Sequence, residues 1–411
     1  MSGTFGRGLA IAVFICLPVT ACSASAFYLY EENGATVDVR GFARLIGWGS
    51  DNPDIDFIYE NKNDYGLGGI GRLLVDGRKG ENIALELNIF ELYTSSSATF
   101  NIEGQTQADV ERSALLAWSQ IDGENQDANL TFDRINISYS FNRIDLTVGR
   151  QAVNLATTYY FTPNDFFAPF AAQTFYRVYK SGVDAARAEI RLGELTQATI
   201  LGVMGYKRDP GAQSGWSDQP DWDRASTIAR ISTVFLNFEW GAIAGNVRGS
   251  DVIGGSIQGE LPFQIGLRVE GNYQYQDEEG KEPAREISAE VEKRFDNTLI
   301  LRLAYFHNGA GADAVKDYAL EPGAIYIARR YAALGMSYEF TPLLYGEFLF
   351  LENLVDDSYS LAFYSVYSLS DEAEFSAGLS IPFGEKPSAI SVGSEYGAQP
   401  IAFNLELRTY F

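Results

Sequence analysis

Hydrolytic chemistry needs a base beside its nucleophile, and the chain offers a single histidine, His307. It stands in Phe306-His307-Asn308-Gly309. A barrel phospholipase would need a histidine oriented by asparagine beside a serine, and a barrel protease an Asp/His pair at the mouth. A lone histidine where a strand runs into a loop is most often a solvated loop residue, so no enzyme is expected. The two cysteines, Cys16 and Cys22, cannot furnish a Cys/His zinc site or a CxxCH haem attachment. Carboxylate runs such as Asp277-Glu278-Glu279 and Asp356-Asp357 lack the spacing and glycine of an EF-hand loop. With 31 basic against 54 acidic residues, a formal charge of −23, nucleic acid is a poor partner. No catalytic, cofactor or metal residue is assigned.

What remains is the chemistry of rings and charges, and it concentrates in Asn154–Ser181. That segment holds nine aromatic residues but only three charges, Asp165, Arg177 and Lys180. So apolar a connection would form an exposed patch if it lay in water, which predicts that it folds inside whatever surrounds it. Tyr159, Tyr160, Phe161, Asp165, Phe166, Phe167 and Arg177 are the candidates to narrow a channel there. The other reading is a lid packed over a rim.

The elements that would surround it announce themselves by a two-residue period. From Val37 onward, segments of about ten residues alternate apolar and polar, as a strand with unlike faces must. In Phe263–Tyr275, Phe263, Ile265, Leu267, Val269, Tyr273 and Tyr275 share one face against Gln264, Arg268, Glu270, Asn272 and Gln274. Charges at strand centres and Tyr or Phe at segment ends (Tyr65, Phe141, Tyr206, Phe340) match the aromatic girdles of a transmembrane barrel, with the apolar face toward lipid. After the first two dozen residues no apolar run approaches the ~18 residues of a membrane-spanning helix. Eight short turns alternate with nine longer connections. The expected fold is therefore all-β, an antiparallel up-and-down transmembrane barrel of 18 strands, or 16 if the weak segments Leu195–Tyr206, Phe238–Val247 and Val252–Glu260 do not form strands. No second domain is expected.

On the polar parity fall Arg40, Arg44, Arg72, Arg134, Arg268, Arg302 and Arg408, with carboxylates led by Glu86, Glu270, Glu290, Glu347 and Glu406. Opposite signs in one lumen make ion pairs that hold the wall; a ladder of unpaired arginine would instead favour anionic solutes. Parity also puts Arg150 with Ile144, Leu146 and Val148 on the lipid face, at a cost of about 2–4 kcal/mol at the midplane unless a bulge at Gly149 or a position at the rim relieves it.

Both ends carry signals. Residues 1–26 hold one charge, Arg7, an apolar stretch Leu9–Val19 and then Ala24-Ser25-Ala26, the pattern of a cleaved secretory leader that would leave Phe27 first. Val19-Thr20-Ala21-Cys22 competes as a lipidation site. Phe403, Leu405, Leu407 and Phe411, alternating up to a terminal aromatic, resemble the signal read by the outer-membrane barrel assembly machinery.

Phe132-Asp133-Arg134-Ile135, Val148-Gly149-Arg150-Gln151, Pro163-Asn164-Asp165 with Pro169, and Gly182-Val183-Asp184 resemble blocks of the alginate-export-like and porin-like outer-membrane families. The likeness covers about 50 residues and implies a channel in the bacterial outer membrane passing small hydrophilic solutes or ions. The alginate exporters have lumens crowded with basic residues, and this chain is short of lysine. Lipid and lipopolysaccharide are the expected neighbours, and a homo-oligomer would show an apolar face of the same composition as a lipid face. Two other functions fit: a sheath holding a partner such as a multihaem cytochrome, and an adhesin barrel displaying the acidic loop Thr94–Asn129.

Overall fold

The computed structural model describes residues 28–97, 110–212, 214–275, 283–319, 325–388 and 393–411. The expected leader with its candidate cleavage and lipidation sites, Asp277, Glu278 and Glu279, and residues 98–109 of the acidic loop lie outside these.

Strands form where the two-residue period was read: β1 (Tyr28–Glu32), β2 (Ala35–Asp51), β3 (Asn63–Lys79), β4 (Ile83–Ser96), β5 (Ala117–Asp122), β6 (Gln126–Phe141), β7 (Ile144–Ala152), β8 (Gly182–Arg191), β9 (Thr196–Val203), β10 (Tyr206–Arg208) and β11 (Trp216–Pro220). The second half continues with β12 (Ser226–Phe235), β13 (Phe238–Val247), β14 (Ser250–Leu261), β15 (Ile265–Tyr275), β16 (Ala284–Arg294), β17 (Ile300–Asn308), β18 (Arg330–Thr341), β19 (Leu344–Asn353), β20 (Tyr359–Ser370), β21 (Ala373–Phe383) and β22 (Ile401–Tyr410). Each of the 18 wall strands pairs antiparallel with its neighbours, and β2 pairs with β22 from Phe42↔Tyr410 to Asp51↔Ile401, so the sheet closes. A closed sheet leaves no edge whose N–H and C=O groups would face hydrocarbon. The three weak segments are all wall strands, β9, β13 and β14, which fixes the count at 18 rather than 16. β1 is a short hairpin arm on β2, β5 lies along the upper part of β6, and β10 and β11 form a separate hairpin.

The short connections are tight because their backbones turn left-handed. Leu236 and Asn237 have φ of 52° and 64°, the both-positive pair of a two-residue hairpin. Phe263 and Gln264, read from sequence as strand, also have positive φ, and they form the turn before β15.

The faces are inverted relative to a soluble protein. Ile137, Leu146, Ile200, Ile253, Leu303 and Leu405 are exposed on the outside, while Asn88, Ser288, Glu290, Asn353 and Ser360 are buried within. That is the arrangement a lipid solvent selects.

Arg150 departs from the lipid-facing expectation. Its side chain is fully buried, with Nε and Nη2 on the Asp184 carboxylate at 2.8 and 3.0 Å, Nη1 donating to the Phe132 carbonyl and Nη2 to the Ser113 carbonyl. Gly149 beside it has φ 120°, and a Cβ there would run into the Ile135 carbonyl. The arginine sits near the loop end of β7, where the chain at Ser113 covers it, so its charge is not exposed on the outer face.

Candidate functional site

The chain leaves β7 at Ala152 and re-enters the wall at Gly182. The first anchor of the connecting segment is apolar: Val153, Leu155, Phe167 and Ala168 join Val183, Ala185, Leu201, Ile228 and Ile243, inward residues of β8, β9, β12 and β13. Phe166 packs against the same cluster, and its carbonyl accepts from Arg248.

Next the backbone itself is gripped. The Glu270 carboxylate accepts from the N–H groups of Thr157, Thr158 and Asn164, and the Glu290 carboxylate from those of Tyr159 (3.0 Å) and Tyr160 (3.1 Å). Both glutamates face inward from adjacent strands, β15 and β16. Irregular backbone buried in a wall must find partners for its N–H groups, and two side chains supply five of them. The Asn272 amide donates to the Pro163 carbonyl at 2.8 Å.

The rings then choose their sites. Phe161 is wholly buried, stacked on Phe306 at 5.1 Å with Tyr326 and Tyr331 edge-on or tilted beside it. Burial of such a side chain contributes roughly 1.5–3 kcal/mol. Tyr159 lies between the guanidinium groups of Arg177 (4.3 Å) and Arg302 (4.0 Å). Tyr176 meets Arg44 (4.5 Å) and Arg408 (4.0 Å), and Tyr179 stacks on Phe42 with Arg72 at 4.7 Å. Phe175 stacks on Tyr364 of β20. From one end to the other, the segment's partners lie on β8, β9 and β12–β18, then on β20 and β22, and finally on β2 and β3.

Arg177 spends its donors inside the segment, on the carbonyls of Tyr159, Ala171, Ala172 and Thr174. Asp165 pairs with Lys180. Burial pushes the Asp165 carboxyl above its ordinary range and Lys180 below its own, each opposed by the other's charge. Burial likewise pushes the Tyr160 hydroxyl up to about 12, against the pull of Arg302.

The wall arginines named from parity are ion-paired. Arg44 and Arg408 share Glu406, Arg408 also reaching Glu374. Arg72 and Arg112 share the buried Asp133, and Arg134 pairs with Glu86. Arg268 meets Glu290 and Glu292, and Arg302 meets Glu292. Arg40 pairs with Asp38 and Asp76 at an exposed end, where such a pair contributes little. No free arginine ladder is formed by these residues. Phe403, Leu405 and Leu407 are exposed on the outer face of β22, and Phe411 exchanges two backbone hydrogen bonds with Gly41.

Parity alone did not single out the ring acceptors Phe42, Phe306 and Tyr331. Each was marked by being aromatic on a strand's polar parity, as Phe42 is among Asp38, Arg40 and Arg44. His307 is the penultimate residue of β17 rather than a loop residue, and shares the outward parity of Leu303 and Tyr305. Among the described residues no His/Cys/Asp/Glu group could hold a metal ion.

Two cavities are lined by residues of the segment and a third lies apart from it. One of about 870 Å³ opens on the long-connection side, lined among others by Phe170, Arg248, Glu286 and Tyr326. A second, about 370 Å³, lies between Thr174, Phe175 and Tyr176 of the segment and Arg44, Tyr364 and Glu406 of the wall, and the third, about 340 Å³, lies on the short-turn side between Glu86, Arg134, Gln151 and Arg187.

These features define a transmembrane antiparallel β-barrel with one long connection packed against its inner wall. No family profile and no curated protein matches the sequence. Solved structures do match. A BenF-like porin from Pseudomonas fluorescens Pf-5 superposes with TM-score 0.59 at 9% identity, covering 91% of this chain and 98% of its own. Acinetobacter baumannii OccAB4 gives 0.57 at 10%, over 93% and 99% of the two chains. Pseudomonas aeruginosa OccK9 (OpdG) gives 0.57 at 12%, over 91% and 98%. At such identities what is shared is the fold. It agrees with the porin-like half of the resemblance read from the sequence blocks; the alginate-export-like half rests on those blocks alone.

Proposed function

We propose that the chain is a porin of the bacterial outer membrane, passing small hydrophilic solutes or ions by passive diffusion. The observation that carries this reading is the packing of Asn154–Ser181 against the inner wall of a closed 18-strand barrel, with two cavities lined in part by the segment. A barrel of this strand number has room for an aqueous lumen, and a packed inner segment sets its width. Tyr159, Tyr160, Phe161, Phe166 and Phe167 shape that constriction, with Arg177 and the Asp165–Lys180 pair holding the segment in form. No reaction is assigned, and the solved porins with the same fold support a channel over an enzyme. The leader pattern in residues 1–26, the alternation of Phe403, Leu405 and Leu407 and the apolar outer face support export, assembly by the barrel machinery and residence among lipid and lipopolysaccharide.

Single-channel recording of the refolded chain in a planar bilayer tests the reading. Steady open steps are expected. A sealed membrane holding correctly folded barrel would refute it and favour the protein-filled sheath, although a segment packed across the inner wall leaves that partner little space.

A further inference from the structure

Resting on the outer-membrane reading, but not on the pore being open, we infer that Arg285, His307 and Arg330 form a docking site on the outer face of the barrel for a phosphate group of lipopolysaccharide. All three sit at the end where the long connections lie. Arg285 is the second residue of β16, His307 the penultimate residue of β17 and Arg330 the first of β18. All three also fall on the outward parity. Arg285 stands opposite Tyr273, and His307 opposite both Ile287 and Arg330, on the same face as the exposed Leu303, Tyr305 and Leu334. Side chains directly opposite in an antiparallel pair have Cβ atoms about 4.5–5.5 Å apart, and diagonal ones about 7–8 Å. His307 is therefore the immediate neighbour of Arg330 and lies on the diagonal from Arg285. Two long guanidinium arms thus flank an imidazole, and all three groups can donate to one tetrahedral anion between them.

These charges are unlike those of the lumen. Arg44, Arg72, Arg268, Arg302 and Arg408 are each tied to carboxylates, whereas Arg285 and Arg330 are exposed and among the described residues have no ion pair. Glu352, outward on β19 and diagonal from Arg330, is not joined to it by an ion pair, and two guanidinium groups against that one carboxylate leave the patch positive. Tyr273, Tyr275 and Tyr305 are exposed at the same end of neighbouring strands, and such rings sit at the level of lipid headgroups. The anion that meets a lipid-facing wall at that level is a lipid phosphate, whose oxygens the arginine fork matches in pairs.

The test is native mass spectrometry of the refolded full chain in detergent, titrated with diphosphoryl lipid A and with the same lipid stripped of its phosphates. The wild type should retain the first and not the second. An Arg285→Gln, Arg330→Gln double variant, altered only on the exposed outer face, should keep its heat-modifiable gel mobility and its single-channel conductance. Its apparent Kd for diphosphoryl lipid A should rise about 30-fold. Inorganic phosphate at the lipid's concentration should leave the lipid bound. Equal retention of the stripped lipid, retention of neither, or displacement by inorganic phosphate overturns the inference in the wild type alone, whether or not the variant folds. A folded double variant that binds as the wild type does overturns it too, and in each case the channel still stands. A barrel that binds the lipid yet passes no current overturns the channel and not this site.

Discussion

Replacing Glu270 by alanine should unfasten the middle of the constricting segment without unfolding the barrel. Its carboxylate accepts three backbone N–H groups, from Thr157, Thr158 and Asn164, the last two at 3.3 and 3.4 Å. A hydrogen bond to a charged acceptor contributes about 1.5–3 kcal/mol, and long ones less. One strong and two weak bonds, lost together, amount to roughly 3–5 kcal/mol of local anchoring. Water entering the lumen recovers part of that, so a net shift of about 3 kcal/mol is expected, a factor of roughly 100 in the ratio of released to seated segment. Phe161 and Phe167 stay buried on either side and oppose wholesale release, each by roughly 1.5–3 kcal/mol. The variant should therefore flicker to a larger conductance state in single-channel records. Glu270→Gln, which keeps an acceptor oxygen, should sit between. An alanine variant with the conductance and open-state noise of the wild type would refute the claim that this carboxylate holds the segment.

Three further outcomes follow from other sites. Arg150→Ala leaves the half-buried Asp184 without its cation and should cost about 3 kcal/mol, read as a lower temperature for loss of heat-modifiable mobility. Gly335→Ala places a Cβ on the Tyr160 hydroxyl, so it should displace the segment and alter conductance while the folded yield stays unchanged. The Glu395 carboxyl, in the connection before β22, is pushed by burial from 4.5 to about 7, with the Tyr331 hydroxyl and Asn353 amide donating to it, both at 2.7 Å, and Asp356 raising it further. Because the seated form holds the proton more tightly, that connection is firmest below pH 4.5 and loosens as pH rises through about 7. Hydrogen exchange of its amides across that range measures this, and Glu395→Gln should flatten the profile.

Much of the barrel was legible because a strand between lipid and water must alternate at every step. In β15 the inward Arg268, Glu270 and Asn272 and the outward Leu267, Val269 and Tyr273 are separated by counting alone. The turns were legible from their polar residues, but their exact edges were not, since Phe263 looks apolar enough for a strand and only its positive φ removes it. The segment Asn154–Ser181 stood out by composition, yet its route did not. Which strand receives Phe161 depends on contacts between residues more than a hundred positions apart, and no local period encodes those. Pairing among the arginines was equally hidden, because parity places Arg72 and Asp133 on one face without saying that they touch.

The grip of Glu270 and Glu290 on main-chain N–H groups bears on how such a pore could diversify. The path of residues 157–160 is written in amides that every amino acid except proline carries. Thr157 and Tyr159, unlike the buried Thr158 and Tyr160, can therefore change their side chains while the course of the chain stays put. A library randomised at Thr157 and Tyr159 should yield many folded barrels whose permeation differs, whereas proline at either position should be selected against.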